Sequence, residues 1–369
     1  MSAGGGSPVS GSFLLEEGLA LEREEPIVPC RIGYEAFGAE DGPVVVVLGG
    51  ISADRHIAPH EADDSPGWWS LFTGPGLPLD TDRFRVVGMD WIGGPGESSG
   101  PAKRPGPEGI PAVTTGDQAA AVAALLDHLG VERAHSILGA SYGAMVALVF
   151  GARFPERARH LFAIAGAHAS HPMATALRGL QRRIVLFGYE KENANEAVVI
   201  ARSLAMTTYR PPDELKERFP LDARIEDGHY RFSVEDYLEY QGRKFAARYD
   251  PDHFLYLCQS LDLHTVEPEE IAVPTTLLAV EEDQLVPLWQ KRELAARLAG
   301  PVELVEISAL TGHDAFLTEE EKVGPIVRRV LGGVGEQVED GAREARGPSD
   351  PMGAPEATDA SESPGASRG

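Results

Sequence analysis

The sequence predicts an α/β protein: a mostly parallel sheet with helices on both faces and an inserted helical cap. Three observations predict it. Short apolar runs of strand length alternate with helical patterns, as expected for parallel strands buried on both faces. One long stretch, 168–268, breaks that alternation with charges, aromatics and helical spacing. Between an apolar run and an alanine-rich helical run stands the turn Gly139-Ala140-Ser141-Tyr142-Gly143.

The strands follow in order. Val44-Val-Val-Val-Leu48 reads as a strand buried on both faces, and Arg85-Val-Val-Gly-Met89 as the next. The run 116–129 carries Ala and Leu at helical spacing. Further strands are expected at 134–138, 161–165, 275–280 and 302–307. Inside 168–268, helical spacing recurs over 173–185, 196–207 and 234–248. The expected organisation is a flexible leader at 1–12, a core made of 13–167 and 269–331, a helical cap at 168–268, and a disordered acidic tail at 332–369. The tail has almost no large apolar side chains, so it cannot offset the entropy of ordering. No internal repeat is evident.

Bulk properties narrow the function. A formal net charge of −24 disfavours nucleic-acid binding, which needs a basic surface. It leaves room for an anionic small substrate in a local basic pocket. Cys30 and Cys258 are too few and too far apart for a disulfide framework, and both read as reduced. The first residues lack the basic and apolar regions of a signal peptide, and no apolar run approaches bilayer length. A cytoplasmic protein is expected.

Ser141 has the setting of a nucleophile: a sharp strand-to-helix turn exposes its hydroxyl. The Tyr142 N–H follows it and is free to donate to an oxyanion. A serine nucleophile needs a base, and the base needs an orienting carboxylate. Asp283 follows the strand at 275–280, and His313 follows the strand at 302–307. Chain order Ser, Asp, His is that of the α/β-hydrolase fold. The second oxyanion donor is expected from the loop after 44–48, Gly49-Gly50-Ile51-Ser52, with the Ile51 N–H in that role. No metal is expected, since His168 and His171 lack a partner at ligand spacing. Gly93-Gly94-Pro95-Gly96 fails the nucleotide-binding patterns and reads as a loop.

Further segments resemble the homoserine O-acyltransferases. They include Trp68-Trp69, Gly74-Pro75-Gly76, the run Leu79 to Phe84, Ser99-Gly100-Pro101, Leu180-Gln181-Arg182, Tyr209-Arg210, Asp250-Pro251 and Leu261-Asp262. The most specific is Gly312-His313-Asp314-Ala315-Phe316-Leu317. The resemblance covers nearly the whole body and implies Ser141, Asp283 and His313 as the triad. It implies an acyl-CoA co-substrate with no bound cofactor, a place in methionine synthesis, and a homodimer made through the cap helices. Phe187, Phe245 and Tyr249 are candidate dimer contacts, with core packing as their simpler explanation. By resemblance, Arg202 and Tyr209 bind substrate from the cap, Arg202 holds the homoserine carboxylate, and Asp314 holds its ammonium. Ser52 is placed with substrate in the oxyanion loop. The chain departs from the family at Tyr142 and at Gly49-Gly50-Ile51-Ser52, which reshapes the acyl pocket. Arg55, in the same loop, is expected to meet the distal carboxylate of a succinyl group, making succinyl-CoA the first choice of donor. Leu285 is placed in the acyl pocket by position. An acetyl donor, serine as acceptor, or simple ester hydrolysis on the same triad remain open alternatives.

Overall fold

The computed structural model describes residues 8–106 and 108–334. Eight strands form the sheet: β1 (Val9–Leu15), β2 (Cys30–Gly38), β3 (Val44–Leu48), β4 (Arg85–Met89), β5 (Ser136–Ala140), β6 (Leu161–Ile164), β7 (Thr275–Val280) and β8 (Val302–Ile307). Their spatial order is β1-β2-β4-β3-β5-β6-β7-β8. β1 and β2 run antiparallel to their neighbours, and the rest are parallel. The central strands β5, β6 and β7 are buried along their whole length, which is why they read as unbroken apolar runs. α1 (Thr115–His128) and α2 (Tyr142–Arg153) carry apolar side chains into the same core.

Parallel connection gives every central strand the same direction, so their carboxyl ends share one edge. Ser141, Asp283 and His313 follow β5, β7 and β8 at that edge. Between β6 and β7 the chain makes α3 (Pro172–Glu190), α4 (Ala194–Tyr209), α5 (Pro212–Arg218), a hairpin of Ala223–Glu226 with His229–Phe232, α6 (Ser233–Ala246) and α7 (Pro251–Leu263). Beyond β7, α8 (Leu288–Arg297) precedes β8, and a short α9 (Ala315–Thr318) and α10 (Glu320–Gly333) follow it.

Three expectations change. Residues 9–12, read as leader, belong to β1, which pairs from Val9↔Ala36 to Leu15↔Cys30. Its polar residues hide it as a sequence signal; pairing to β2 supplies the strand. The strand expected at 134–138 lies at Ser136–Ala140 and runs directly into the Ser141 turn. Gly332 and Gly333, assigned to the tail, close α10. Residues 1–7 and 335–369 lie outside the described residues.

Candidate active site

The turn after β5 is built around two glycines. A side chain at Gly139 would strike the Gly143 carbonyl, and one at Gly143 would strike the Leu48 carbonyl. Only hydrogen fits at either position. Ser141 itself has φ 55° and ψ −114°, a left-handed conformation that costs a non-glycine residue about 1–3 kcal/mol. The strain is held by hydrogen bonds from Ser141 N to Ile164 O (2.8 Å) and from Gly143 N to Gly49 O (2.8 Å).

Ser141 Oγ lies 2.8 Å from His313 Nε2. His313 Nδ1 lies 2.8 Å from Asp283 Oδ2. An ionised carboxylate only accepts, so the Nδ1–H donates to Asp283 and Nε2 is left to accept the serine proton. Asp283 Oδ1 accepts the N–H groups of Leu285 (2.9 Å) and Val286 (3.0 Å). Burial works to raise the Asp283 pKa, but the His313 imidazole, the nearby Lys291 ammonium and the backbone donor hold it below the usual carboxylate value. Lys291 was not singled out from sequence. It is 1% exposed, and its Nζ stands 3.7 Å from Asp283 Oδ2. Burial pushes its own pKa down. On sequence it is one more charged residue of α8, and only the packing shows that it faces inward.

Both proposed oxyanion donors are unspent. The N–H groups of Tyr142 and Ile51 have no acceptor among the described residues. Tyr142 opens α2, where a helix leaves its N–H groups unpaired. Its side chain is buried, and its hydroxyl shares a 2.7 Å hydrogen bond with Ser260. The Ile51 carbonyl accepts from the Tyr249 hydroxyl at 2.5 Å.

Two chambers meet at Ile51, Ser141, Tyr209 and His313. The larger holds about 340 Å³ and is lined by Ser52, Arg202, Lys244 and Asp314 among others. Arg202 lies between the rings of Tyr209 and Phe245, 4.9 and 4.6 Å from their centroids, and donates to the Tyr209 hydroxyl at 3.0 Å. It makes no ion pair among the described residues, and its Nε is buried without a partner. Tyr209 in turn stacks on the His313 ring at 5.9 Å. Asp314 stands 3.1 Å from Arg210 Nε, a contact the sequence did not suggest. Burial raises the Asp314 pKa against the pull of Arg210. Leu285 lines the smaller chamber.

Arg55 is corrected. Its guanidinium pairs with Asp90 (3.1 Å) and Glu97 (2.6 Å) and lines neither chamber. Asp90 is a buried carboxylate at the end of β4, and Arg55 is the cation that compensates it. Phe245 and Tyr249, named as dimer contacts, are buried against the larger chamber; Phe187 is exposed.

One cluster has the composition of a metal site. Ligand atoms of Glu35, His56 and His60 lie within 4.8 Å of one another. However, His60 Nδ1 accepts from Ala62 N at 3.2 Å, which puts the ring proton on Nε2, 3.0 Å from Glu35. His56 sits between Glu35 (2.9 Å) and the Ser65 carbonyl (2.8 Å). Glu35 is hydrogen-bonded to His56, while His60 Nε2 stands close to it without hydrogen-bond geometry.

The strand order, the strained serine turn and the Ser141–His313–Asp283 series define an α/β hydrolase fold. A family profile described as the alpha/beta hydrolase fold matches residues 43–320. The homoserine O-succinyltransferase of Xanthomonas campestris pv. campestris is 40% identical over 306 residues, covering 83% of this chain and 80% of that protein. The L-serine/homoserine O-acetyltransferase of Streptomyces lavendulae is 33% identical, over 88% of this chain and 97% of its own. The crystal structure of homoserine O-acetyltransferase from Bacillus anthracis matches with a TM-score of 0.78 at 18% identity, covering 88% of this chain and 97% of that one, a likeness of fold. The chain belongs to the homoserine O-acyltransferase family.

Proposed function

We propose that the protein transfers an acyl group, succinyl in preference to acetyl, from acyl-CoA to the hydroxyl of L-homoserine through an acyl-Ser141 intermediate. This would be a step of methionine synthesis. The observation that carries the reading is Arg202. A guanidinium held between two rings, without a carboxylate partner, faces the chamber where Ser141 and His313 meet. A buried charge without a partner is costly, and an amino-acid carboxylate would supply one. Asp314 in the same chamber offers the matching anion for the ammonium. The donor preference is supported by the succinyltransferase relative.

In the first half-reaction His313 Nε2 takes the Ser141 proton as Oγ attacks the thioester carbonyl. The tetrahedral oxyanion is met by the N–H groups of Ile51 and Tyr142, each worth about 3–4 kcal/mol in comparable sites. The C–S bond breaks, and the His313 proton leaves with the CoA thiol. In the second, His313 deprotonates the homoserine hydroxyl, which attacks the acyl ester. The Oγ–acyl bond breaks and Ser141 regains its proton.

The test is intact-protein mass spectrometry after mixing with succinyl-CoA or acetyl-CoA, followed by a homoserine or serine chase. An adduct lost in Ser141→Ala and discharged faster by homoserine than by serine or water is the expected result. Discharge indifferent to the amino acid would return the protein to ester hydrolysis. We further propose a cytoplasmic homodimer. Leu180, Phe187, Ile200 and Tyr240 stand exposed on α3, α4 and α6, an apolar surface of the kind that dimers cover. Sedimentation of Phe187→Asp as a monomer would support it. No described helix is long and apolar enough to cross a membrane.

A further inference from the structure

The two chambers at Ser141 differ in size and in charge. The larger carries the features suited to an amino acid. The smaller holds about 50 Å³, room for a few water-sized groups at roughly 10–15 Å³ each and so for a short acyl chain. An acyl group on Ser141 must occupy one chamber while the acceptor approaches from the other.

The smaller chamber is more polar than an acetyl group requires. Arg178 and Gln181, one turn apart on α3, line it, and no carboxylate does so among the described residues. Arg178 pairs with Asp262 at 2.7 Å, and Arg182 pairs with the same carboxylate. All three side chains are largely buried. Two guanidinium groups on one carboxylate leave one positive charge over. Arg178 spends its Nε on Asp262 and its Nη2 on Asp262 and Ser170, while its Nη1 has no partner among the described residues. Gln181 is 4% exposed, and its amide makes no hydrogen bond to any described residue. The surplus cation favours an anion in the cavity, and the Gln181 amide beside it has N–H groups that such an anion would accept.

We propose that this chamber is a carboxylate-binding acyl site, in which Arg178 and Gln181 hold the distal carboxylate of a short dicarboxylic acyl group carried on Ser141. The inference rests on acyl transfer through Ser141, and it places the selectivity for succinyl on α3 instead of Arg55. The fit is chemical: Nη1 and the Gln181 amide donate, and the surplus charge is neutralised only when a dicarboxylic acyl group is bound.

The test compares acylation rates by intact mass for succinyl-CoA and butyryl-CoA, which match in chain length and differ in the terminal carboxylate. Wild-type protein is expected to react at least ~10-fold faster with succinyl-CoA. Arg178→Met leaves Arg182 to neutralise Asp262. It should lower the succinyl rate about 10- to 100-fold, the scale of one charged hydrogen bond, and leave the butyryl rate within about threefold. Gln181→Leu, a milder change, should lower the succinyl rate several-fold with the butyryl rate again unaffected. Equal wild-type rates, or equal losses for both thioesters in Arg178→Met, would overturn the anion site. Acylation by butyryl-CoA and acetyl-CoA but not succinyl-CoA would overturn it while leaving acyl transfer standing. No adduct from any thioester would overturn acyl transfer itself.

Discussion

The indole N–H of Trp91 donates to the carbonyl of Gly50 at 3.2 Å. The Ala53 N–H donates to the same oxygen at 3.0 Å. In a trans peptide the carbonyl and the following N–H point in opposite directions. Anchoring the Gly50 carbonyl therefore fixes the Ile51 N–H on the opposite side of the peptide, in a residue that lines both chambers with Ser141. The Trp91 ring also packs edge-on against the Tyr142 ring, with centroids 4.8 Å apart. One buried side chain thus holds the carbonyl of the Gly50–Ile51 peptide and packs on Tyr142, the residue that carries the other proposed oxyanion donor.

Trp91→Phe keeps the ring and deletes the donor. Loss of one neutral hydrogen bond is worth about 0.5–1.5 kcal/mol. We expect kcat to fall about fivefold to tenfold while the KM for homoserine stays within twofold. Steady-state kinetics with homoserine varied checks this. A change confined to KM would place Trp91 in substrate binding instead.

Arg202→Met should act on the acceptor and not on the donor. The KM for homoserine is expected to rise at least ~10-fold, because a charged hydrogen-bond pair is lost. The rate of Ser141 acylation, followed by rapid-quench mass spectrometry, should be unchanged. Slower acylation would show that Arg202 also positions the triad.

Lys291→Met should move the acid limb of kcat/KM to higher pH. The Lys291 ammonium helps hold Asp283 ionised below the usual carboxylate range. Removing it lets the Asp283 pKa rise, so the carboxylate is protonated earlier as pH falls. A shift of up to ~1 pH unit is expected for one neighbouring charge. A pH–rate profile of wild type and variant at constant ionic strength measures it. An unmoved limb would show that Lys291 is neutral in the folded protein.

Gly143→Ala should destabilise the protein, because its methyl group would strike the Leu48 carbonyl, a backbone atom with no room to yield. A cost above ~2 kcal/mol, with loss of activity, is expected from forced movement of the serine turn. Thermal unfolding of Gly143→Ala beside Ser141→Ala separates the two effects, since Ser141→Ala removes only the hydroxyl.

Local signals made much of the fold and site legible. β3, β4 and β7 are apolar runs bounded by turns, and each was placed within its observed limits. β1 and β2 were missed, since they lie on the antiparallel side of the sheet and carry polar residues that break the apolar pattern. Ser141, Asp283 and His313 could be singled out because each follows a readable strand, and parallel strands bring their carboxyl ends to one edge, where the three side chains stand within hydrogen-bond reach.

Partner choice was not legible. Arg55 was expected at the substrate, yet it pairs with Asp90 and Glu97, which lie 35 and 42 residues further along the chain. Lys291 behind Asp283, Trp91 behind Gly50, and the sharing of Asp262 by Arg178 and Arg182 were equally invisible. Sequence by itself determined the strand periodicity, the glycine-flanked turn and the order of the reactive residues, because these rest on backbone sterics and short-range spacing. Tertiary structure alone decided which charges neutralise one another and which are left for a ligand, because that depends on how closely separate elements approach and on what water they exclude.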